Sequence, residues 1–203
     1  MKILNIQAPR IVKNLLVATP LLLASPVLKA QNLSAGQDVF VKSPELVQEG
    51  IEPSMMLSPE IKVANDTIYP ALVVDLSENK LYHYDLDGYL DDVYPIASGK
   101  ASTPTKPALK VINAIEEYPY RSAHRATKRY KNPNDYGTHL LNLSIVDVDT
   151  GEIIGNDGQY IHGTFRPETI GKKVSKGCVR VHNDVVDMLA ENLKPGQYVL
   201  IRE

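Results

Sequence analysis

The sequence predicts a mostly β domain with long loops and one helix near its C-terminal end. Three observations carry that expectation. From Tyr69 onward, short runs rich in β-branched and aromatic residues recur, each closed by turn-forming residues. Helical spacing of apolar residues is clear in one segment, around Val185 to Leu193. The chain holds eleven tyrosines and no tryptophan, a composition that suits half-buried strands.

The elements follow in chain order. Lys2, Arg10 and Lys13 supply a positive n-region, Leu15 to Leu28 is mostly apolar, and Lys29-Ala30-Gln31 brackets a cleavage position. That is the layout of a secretory signal over residues 1–30. An uncleaved anchor is disfavoured, because the apolar run is well short of the roughly 20 residues a spanning helix needs and Pro20 and Pro26 interrupt it. Leu28 is bulkier than the small residue usual at the minus-three position, and no cysteine near the junction offers a site for lipid attachment. The protein is therefore expected to be exported. Residues 31–66, punctuated by Pro44, Pro53 and Pro59, read as a linker or N-terminal extension, with room for a short helix near Glu45 to Gln48. Residues 67–203 read as one domain, long enough for its own core.

Within that domain, Ala71 to Leu76 is a strand stopped by Ser77-Glu78-Asn79. Lys80 to Tyr84 and Tyr89 to Ala97 flank Asp87-Gly88, a strong hairpin signal. Leu109 to Ile115 and His139 to Val146 are further strands, Asp149-Thr150-Gly151 is a turn, and Gln159 to His162 is a short strand that delivers a histidine. Asn183 or Asp184 is expected to cap the helix, Val185, Met188, Leu189 and Leu193 to form its apolar stripe, and Lys194-Pro195-Gly196 to end it. Tyr198 to Ile201 is a last apolar strand.

The charge balance is close to even, 22 basic against 24 acidic side chains. That excludes nucleic acid as the main partner, since neutralising phosphates needs a basic excess. Arg121, His124, Arg125, Lys128, Arg129 and Lys131 do form a basic loop among tyrosines, read as a solvated loop before a binding surface for an anionic wall polymer.

The chemistry concentrates in one stretch. Cys178 is the only cysteine, follows Gly177, and has Ser175, Lys176 and Arg180 close by. His162 lies upstream in Tyr160-Ile161-His162-Gly163-Thr164. An exported protein usually pairs its cysteines, so an unpaired one suggests a thiol kept for chemistry. A thiol has a pKa near roughly 8.5 and needs a base or cation to become a nucleophile at neutral pH. His162 can take that proton and later give it to a leaving amine. The Gly163 carbonyl can fix the imidazole tautomer, backbone around Gly177 can support a tetrahedral oxyanion, and Arg180 can grip a carboxylate. These parts describe acyl transfer through a thioester, which calls for no cofactor. From the residues alone the bland reading stands beside it: a lone cysteine is most often a small buried hydrophobe, Ser175 is more naturally structural than a nucleophile, and Arg180 can simply pair with an acid. A zinc site from Cys178, His162 and His182 is disfavoured without a tight His-x-His or Cys-x-x-Cys pair, and His83, His124 and His139 are scattered.

The pattern resembles the L,D-transpeptidase catalytic domain of bacterial cell-wall enzymes. His162-Gly163-Thr164, Ile170-Gly171 and Ser175-Lys176-Gly177-Cys178-Val179-Arg180-Val181 match that family's His-Gly-Thr, Ile-Gly and Ser-His-Gly-Cys-(apolar)-Arg-(apolar). Gly99, Thr103, Pro104 and the Asn183-Asp184 pair extend the likeness, which covers about Tyr69 to Glu203. The resemblance implies a β-sandwich-like fold of two sheets around a groove, with Cys178 as nucleophile and His162 as general base. It further implies orienting or oxyanion roles for Gly163 and Gly177, and substrate contacts from Arg180, Ser175 and Lys176. The implied donor is a peptidoglycan tetrapeptide stem that loses D-alanine, and the implied acceptor an amine on a second stem or a wall protein. Two departures stand out. Lys176 replaces the family's usual histidine, and the loop after Thr103-Pro104 lacks its usual glycine. Hydrolysis of the same thioester, by a carboxypeptidase or amidase, and a non-catalytic wall-binding module are the competing functions.

Overall fold

The structure is a computed structural model and describes residues 56–120 and 136–203. The expected signal, the extension up to residue 55 and the basic loop at 121–131 lie outside the described residues. Two short strands come first. β1 (Ile61–Val63) and β2 (Asp66–Ile68) form an antiparallel ribbon. Three-residue strands show no readable alternation, so the extension expected over 31–66 takes in β1 and only the first residue of β2. Its residues nonetheless pack on the domain. Met56 lies in a cluster with Val73, Tyr82, Tyr84 and Leu90, and Val63 in one with Leu109, Val111 and Val146.

β3 (Leu72–Asp75), β4 (Lys80–Tyr84) and β5 (Leu90–Pro95) form a meander. Asn79 and Gly88 take positive φ at its two turns, as the turn composition anticipated. β6 (Ser98–Gly99) is followed by β7 (Ala108–Glu117), β8 (His139–Val146), β9 (Ile153–Gly155) and β10 (Tyr160–His162). A 3-10 turn at Pro167–Thr169 leads to β11 (Lys173–Ser175) and β12 (Val179–Arg180). Helix α1 (Asn183–Asn192) and β13 (Tyr198–Arg202) complete the chain. The fold is mostly β with one α-helix among the described residues, as expected.

Nine strands make one sheet in the order β12-β10-β8-β7-β13-β3-β4-β5, with β9 on β8, while β6 and β11 pair separately. A single apolar cluster draws on strands from both ends of this path, with Leu81 of β4, Leu72 of β3, Ile161 of β10 and Val179 of β12. The sheet therefore curls over one core, which gives two facing layers from one hydrogen-bonded path. Register shifts in the β4–β5, β7–β8 and β8–β9 pairs supply the local bends such curling needs.

Helix α1 closes the core with Val186 and Leu189, while Val185 and Met188 are only partly buried. The expected cap requires correction. His182 occupies the N-cap, with no side-chain capping bond, and Asn183 and Asp184 lie inside the first turn. The carboxylate of Asp184 there suits the positive end of the helix dipole.

Asp75 ties β3 to β13 and is 5% exposed. Its Oδ1 accepts from the Ser77 amide at 3.0 Å, the Ser77 hydroxyl at 2.6 Å and the Glu78 amide at 3.1 Å. Its Oδ2 accepts from Arg202 Nε at 3.0 Å. Burial pushes this carboxyl up, but the donors together outweigh it and hold it below its ordinary value. A carboxyl depressed in the folded state adds stability above its unfolded pKa, roughly 3.9, and loses it as pH falls toward the folded value. Asp75→Asn is expected to lower unfolding stability by about 1–3 kcal/mol at pH 7, with the gap to the parent narrowing below about pH 4. Urea midpoints at pH 7 and pH 3.5 check this; a gap of equal size at both would show that the charge contributes nothing.

Candidate active site

β10 and β12 run side by side in parallel, with Ile161 opposite Val179 and His162 opposite Arg180. Ile161, Val179 and Val181 belong to the main core. Side chains alternate along a strand and paired residues share a face, so His162 and Arg180 share the face away from that core. Cys178 stands immediately before β12, at the end of the tight turn from β11. Sheet pairing thus brings two motifs distant in sequence onto neighbouring strands.

The turn is built by Ser175. Its hydroxyl donates to the Cys178 carbonyl at 2.6 Å and accepts from the Gly177 amide at 3.0 Å. Gly177 has φ 116°, and a Cβ there would meet the Gln159 amide nitrogen at 3.4 Å and the Pro104 carbonyl at 3.5 Å. Those distances are ordinary contact, so it is the conformation that favours glycine. Ser175 is 1% exposed, and its hydroxyl shapes the turn through these two backbone bonds. Lys176 is exposed at the tip of the turn. The Thr103-Pro104 segment noted in the sequence braces the turn from outside: Thr103 Oγ1 and the Lys100 amide both donate to the Ser175 carbonyl at 3.1 Å.

His162 is 2% exposed, and its Nδ1 lies 2.6 Å from the Gly163 carbonyl. A carbonyl only accepts, so Nδ1 carries the hydrogen and Nε2 is left as the basic nitrogen. The ring of Tyr136 meets the imidazole edge-on, with centroids 4.8 Å apart. Tyr136 is itself held edge-to-face by Tyr120 and Tyr160. The strand is anchored on both sides, by the Val181 amide donating to the His162 carbonyl at 3.0 Å and the Gly163 amide donating to the His139 carbonyl at 3.3 Å. A Cβ on Gly163 would collide with Asn183 Oδ1, which shows why the first turn of α1 keeps that side chain in the interior and not as a cap.

Cys178 is half-buried and in no disulfide, and its Sγ donates to the Gly158 carbonyl at 3.7 Å. Arg180 is fixed through its backbone to Ala97, with both N–H···O distances 2.8 Å. Its Nε is buried without a hydrogen-bond partner among the described residues. Among the other described histidines, His139 pairs with Asp187 at 2.6 Å, His83 with Asp91 at 3.3 Å, and His182 stands at the N-cap of α1. Among the described residues, no group of three or more His, Cys, Asp or Glu side chains is placed to hold a metal ion. Sequence reasoning singled out none of Tyr136, Gln159, Asp157 and Lys110 as site neighbours: Tyr136 and Lys110 are distant in sequence from both motifs, and Asp157 and Gln159 precede His162 with no motif of their own.

The family model for the L,D-transpeptidase catalytic domain matches residues 69–201. The chain belongs to that family. The L,D-transpeptidase domain so defined runs from just before β3 to the end of β13 and leaves β1 and β2 outside it. A Bacillus licheniformis protein, YkuD, named provisionally as an L,D-transpeptidase, is 32% identical over 182 residues, which are 89% of this chain and 84% of the relative. YqjB of Bacillus subtilis, named in the same way, is 32% identical over 157 residues, covering 73% of this chain and 81% of its own length. Among solved structures, an Enterococcus faecium L,D-transpeptidase aligns with a TM-score of 0.49 at 21% identity, covering 66% of this chain and 49% of the other. The chain thus spans about half the length of that solved protein.

Proposed function

We propose that this L,D-transpeptidase carries its acyl group on Cys178 and uses His162 as the proton carrier. The observation that supports this most is the buried imidazole, held in one tautomer by the Gly163 carbonyl on the strand that pairs in register with the one following Cys178. His162 Nε2 takes the thiol proton, and the thiolate attacks the carbonyl that links diaminopimelate to the terminal D-alanine of a peptidoglycan tetrapeptide stem. The C–N bond then breaks as the imidazolium returns its proton to the leaving nitrogen. D-alanine departs and a thioester remains. An amine on a second stem or a wall protein attacks that thioester, its proton passes to His162, and the new amide leaves Cys178 as the thiol.

The roles of the remaining residues follow from their placement. Arg180 Nε, buried and unpartnered among the described residues on the same face as His162, suits a carboxylate of the donor stem. Lys176 stands two residues before Cys178, where an ammonium favours the thiolate but accepts no hydrogen bond. A substrate in the wall fits the secretory layout of residues 1–30 and a location in the periplasm or cell wall.

Intact-mass measurement after incubation with a tetrapeptide stem or a carbapenem tests the reading. The expected result is a stoichiometric adduct localised by peptide mapping to Cys178, with release of one D-alanine in the stem experiment. Turnover of the stem without any adduct on Cys178, under conditions that trap a thioester, would refute it. Product analysis with and without an added amine separates transfer from hydrolysis.

A further inference from the structure

Lys110, in the middle of β7, is fully buried. Its ammonium lies 2.9 Å from each carboxylate oxygen of Asp157 and 3.2 Å from Gln159 Oε1, so all three of its hydrogens have acceptors. Burying such a pair costs desolvation, and buried ion pairs are weak evidence for stability in themselves. What this one holds in place is more telling.

Asp157 Oδ1 also accepts from the Gln159 amide at 3.2 Å. Gln159 Oε1 takes a second donor, the Lys106 amide at 3.2 Å, and Gln159 Nε2 donates to the Pro104 carbonyl at 3.4 Å. The side-chain amide is thus bound to Pro104, Lys106 and Lys110, along the stretch that leads into β7. Gly177 lies beside it, where a Cβ would stand 3.4 Å from Gln159 Nε2, in ordinary contact. Between Asp157 and Gln159 stands Gly158, whose carbonyl accepts from Cys178 Sγ. Beyond Gln159 the chain runs through Tyr160 and Ile161 into His162. One buried cluster therefore fixes the acceptor of the thiol, the support beneath the turn that carries it, and the start of the strand that carries the imidazole.

We propose that Lys110, Asp157 and Gln159 are positioning residues that set the placement of Cys178 relative to His162. The proposal rests on the reading of those two residues as nucleophile and base. It makes the interior of β7 part of the catalytic machinery without any contact to substrate. Loss of the cluster lets the β9–β10 loop and the Gly177 turn shift independently, and displacements of about 1 Å at reacting atoms cost on the order of 100-fold in rate.

Two variants separate positioning from bulk stability. Lys110→Met/Asp157→Asn removes both charges and leaves no unpaired ion, while Gln159→Met removes the bridging amide and keeps the ion pair. Each is measured for thermal unfolding, for kcat and KM with a stem donor, and for the rate of iodoacetamide alkylation against pH. The expected result is a folded protein with kcat about 10- to 100-fold lower, a smaller change in KM, and an alkylation profile displaced to higher pH. Should the double variant fail to fold, Gln159→Met decides alone. Wild-type kcat and a wild-type alkylation profile in a folded variant would overturn the proposal while Cys178→Ala remains inactive. Activity retained in Cys178→Ala would instead overturn the reading beneath it.

Discussion

Cys178→Ala is expected to abolish D-alanine release, a loss of at least about 10³-fold, and to leave the protein folded. The two halves of that expectation have separate causes. The proposed nucleophile is a single sulfur, and no second cysteine exists to substitute for it. The architecture around it does not depend on that sulfur. Ser175 holds the turn through the Cys178 carbonyl and the Gly177 amide, both backbone groups, which alanine preserves. The thiol is half-buried, and its bond to the Gly158 carbonyl is long, at 3.7 Å. Stability is therefore expected to change by less than about 1 kcal/mol. Cys178→Ser should be nearly as inactive, because a hydroxyl stays protonated beside an imidazole that readily takes a thiol proton. The measurement is D-alanine release by purified variants, with circular dichroism and urea unfolding as the control for folding. A folded Cys178→Ala protein that releases D-alanine at the parent rate would remove the thioester from the mechanism.

How much of this was legible in the sequence depends on element length and on how far a residue's partners lie along the chain. Strands of four residues or more, such as β3, β4, β7, β8 and β13, were visible because composition and turn residues bracket them. β6, β11 and β12 have two or three residues and show no period, although β11 and β12 flank the turn that carries Cys178 and β6 pairs with β11. The helix was evident from its apolar spacing, but its start was misplaced. Asn183 is a good cap by type, yet the close approach of α1 to Gly163 and Gly137 takes its side chain inward. Cys178 and His162 were readable as motifs, since each sits in a distinctive local run. Lys110 was not. Lying between Leu109 and Val111 on a strand, it reads as a solvent-facing residue, and only the order β7-β8-β10 carries Asp157 and Gln159 to it. Tyr136 was missed for the same reason, because its contact with His162 is purely tertiary.

Replacing the proposed base should separate thiol activation from acyl transfer more sharply than any other change. In His162→Gln the side chain stays polar and of similar size, and its amide can still donate to the Gly163 carbonyl that now receives Nδ1–H. Packing against Tyr136 is partly retained. What is lost is a group that accepts a proton near neutral pH. Positioned acid–base catalysis contributes about 10²- to 10⁴-fold, so kcat should fall within that range. Alkylation of Cys178 should slow at pH 7 as well, but it needs only the thiolate, so raising the pH should restore it. Transfer should not recover in parallel, because expulsion of D-alanine still requires a proton donor at the leaving nitrogen, and hydroxide supplies none. A variant whose alkylation recovers with pH while its transfer stays low would place His162 at both proton steps. If instead the alkylation profile of His162→Gln matched that of the parent, the imidazole would have no part in activating the thiol, and another group near Cys178, Lys176 first among them, would have to carry that role.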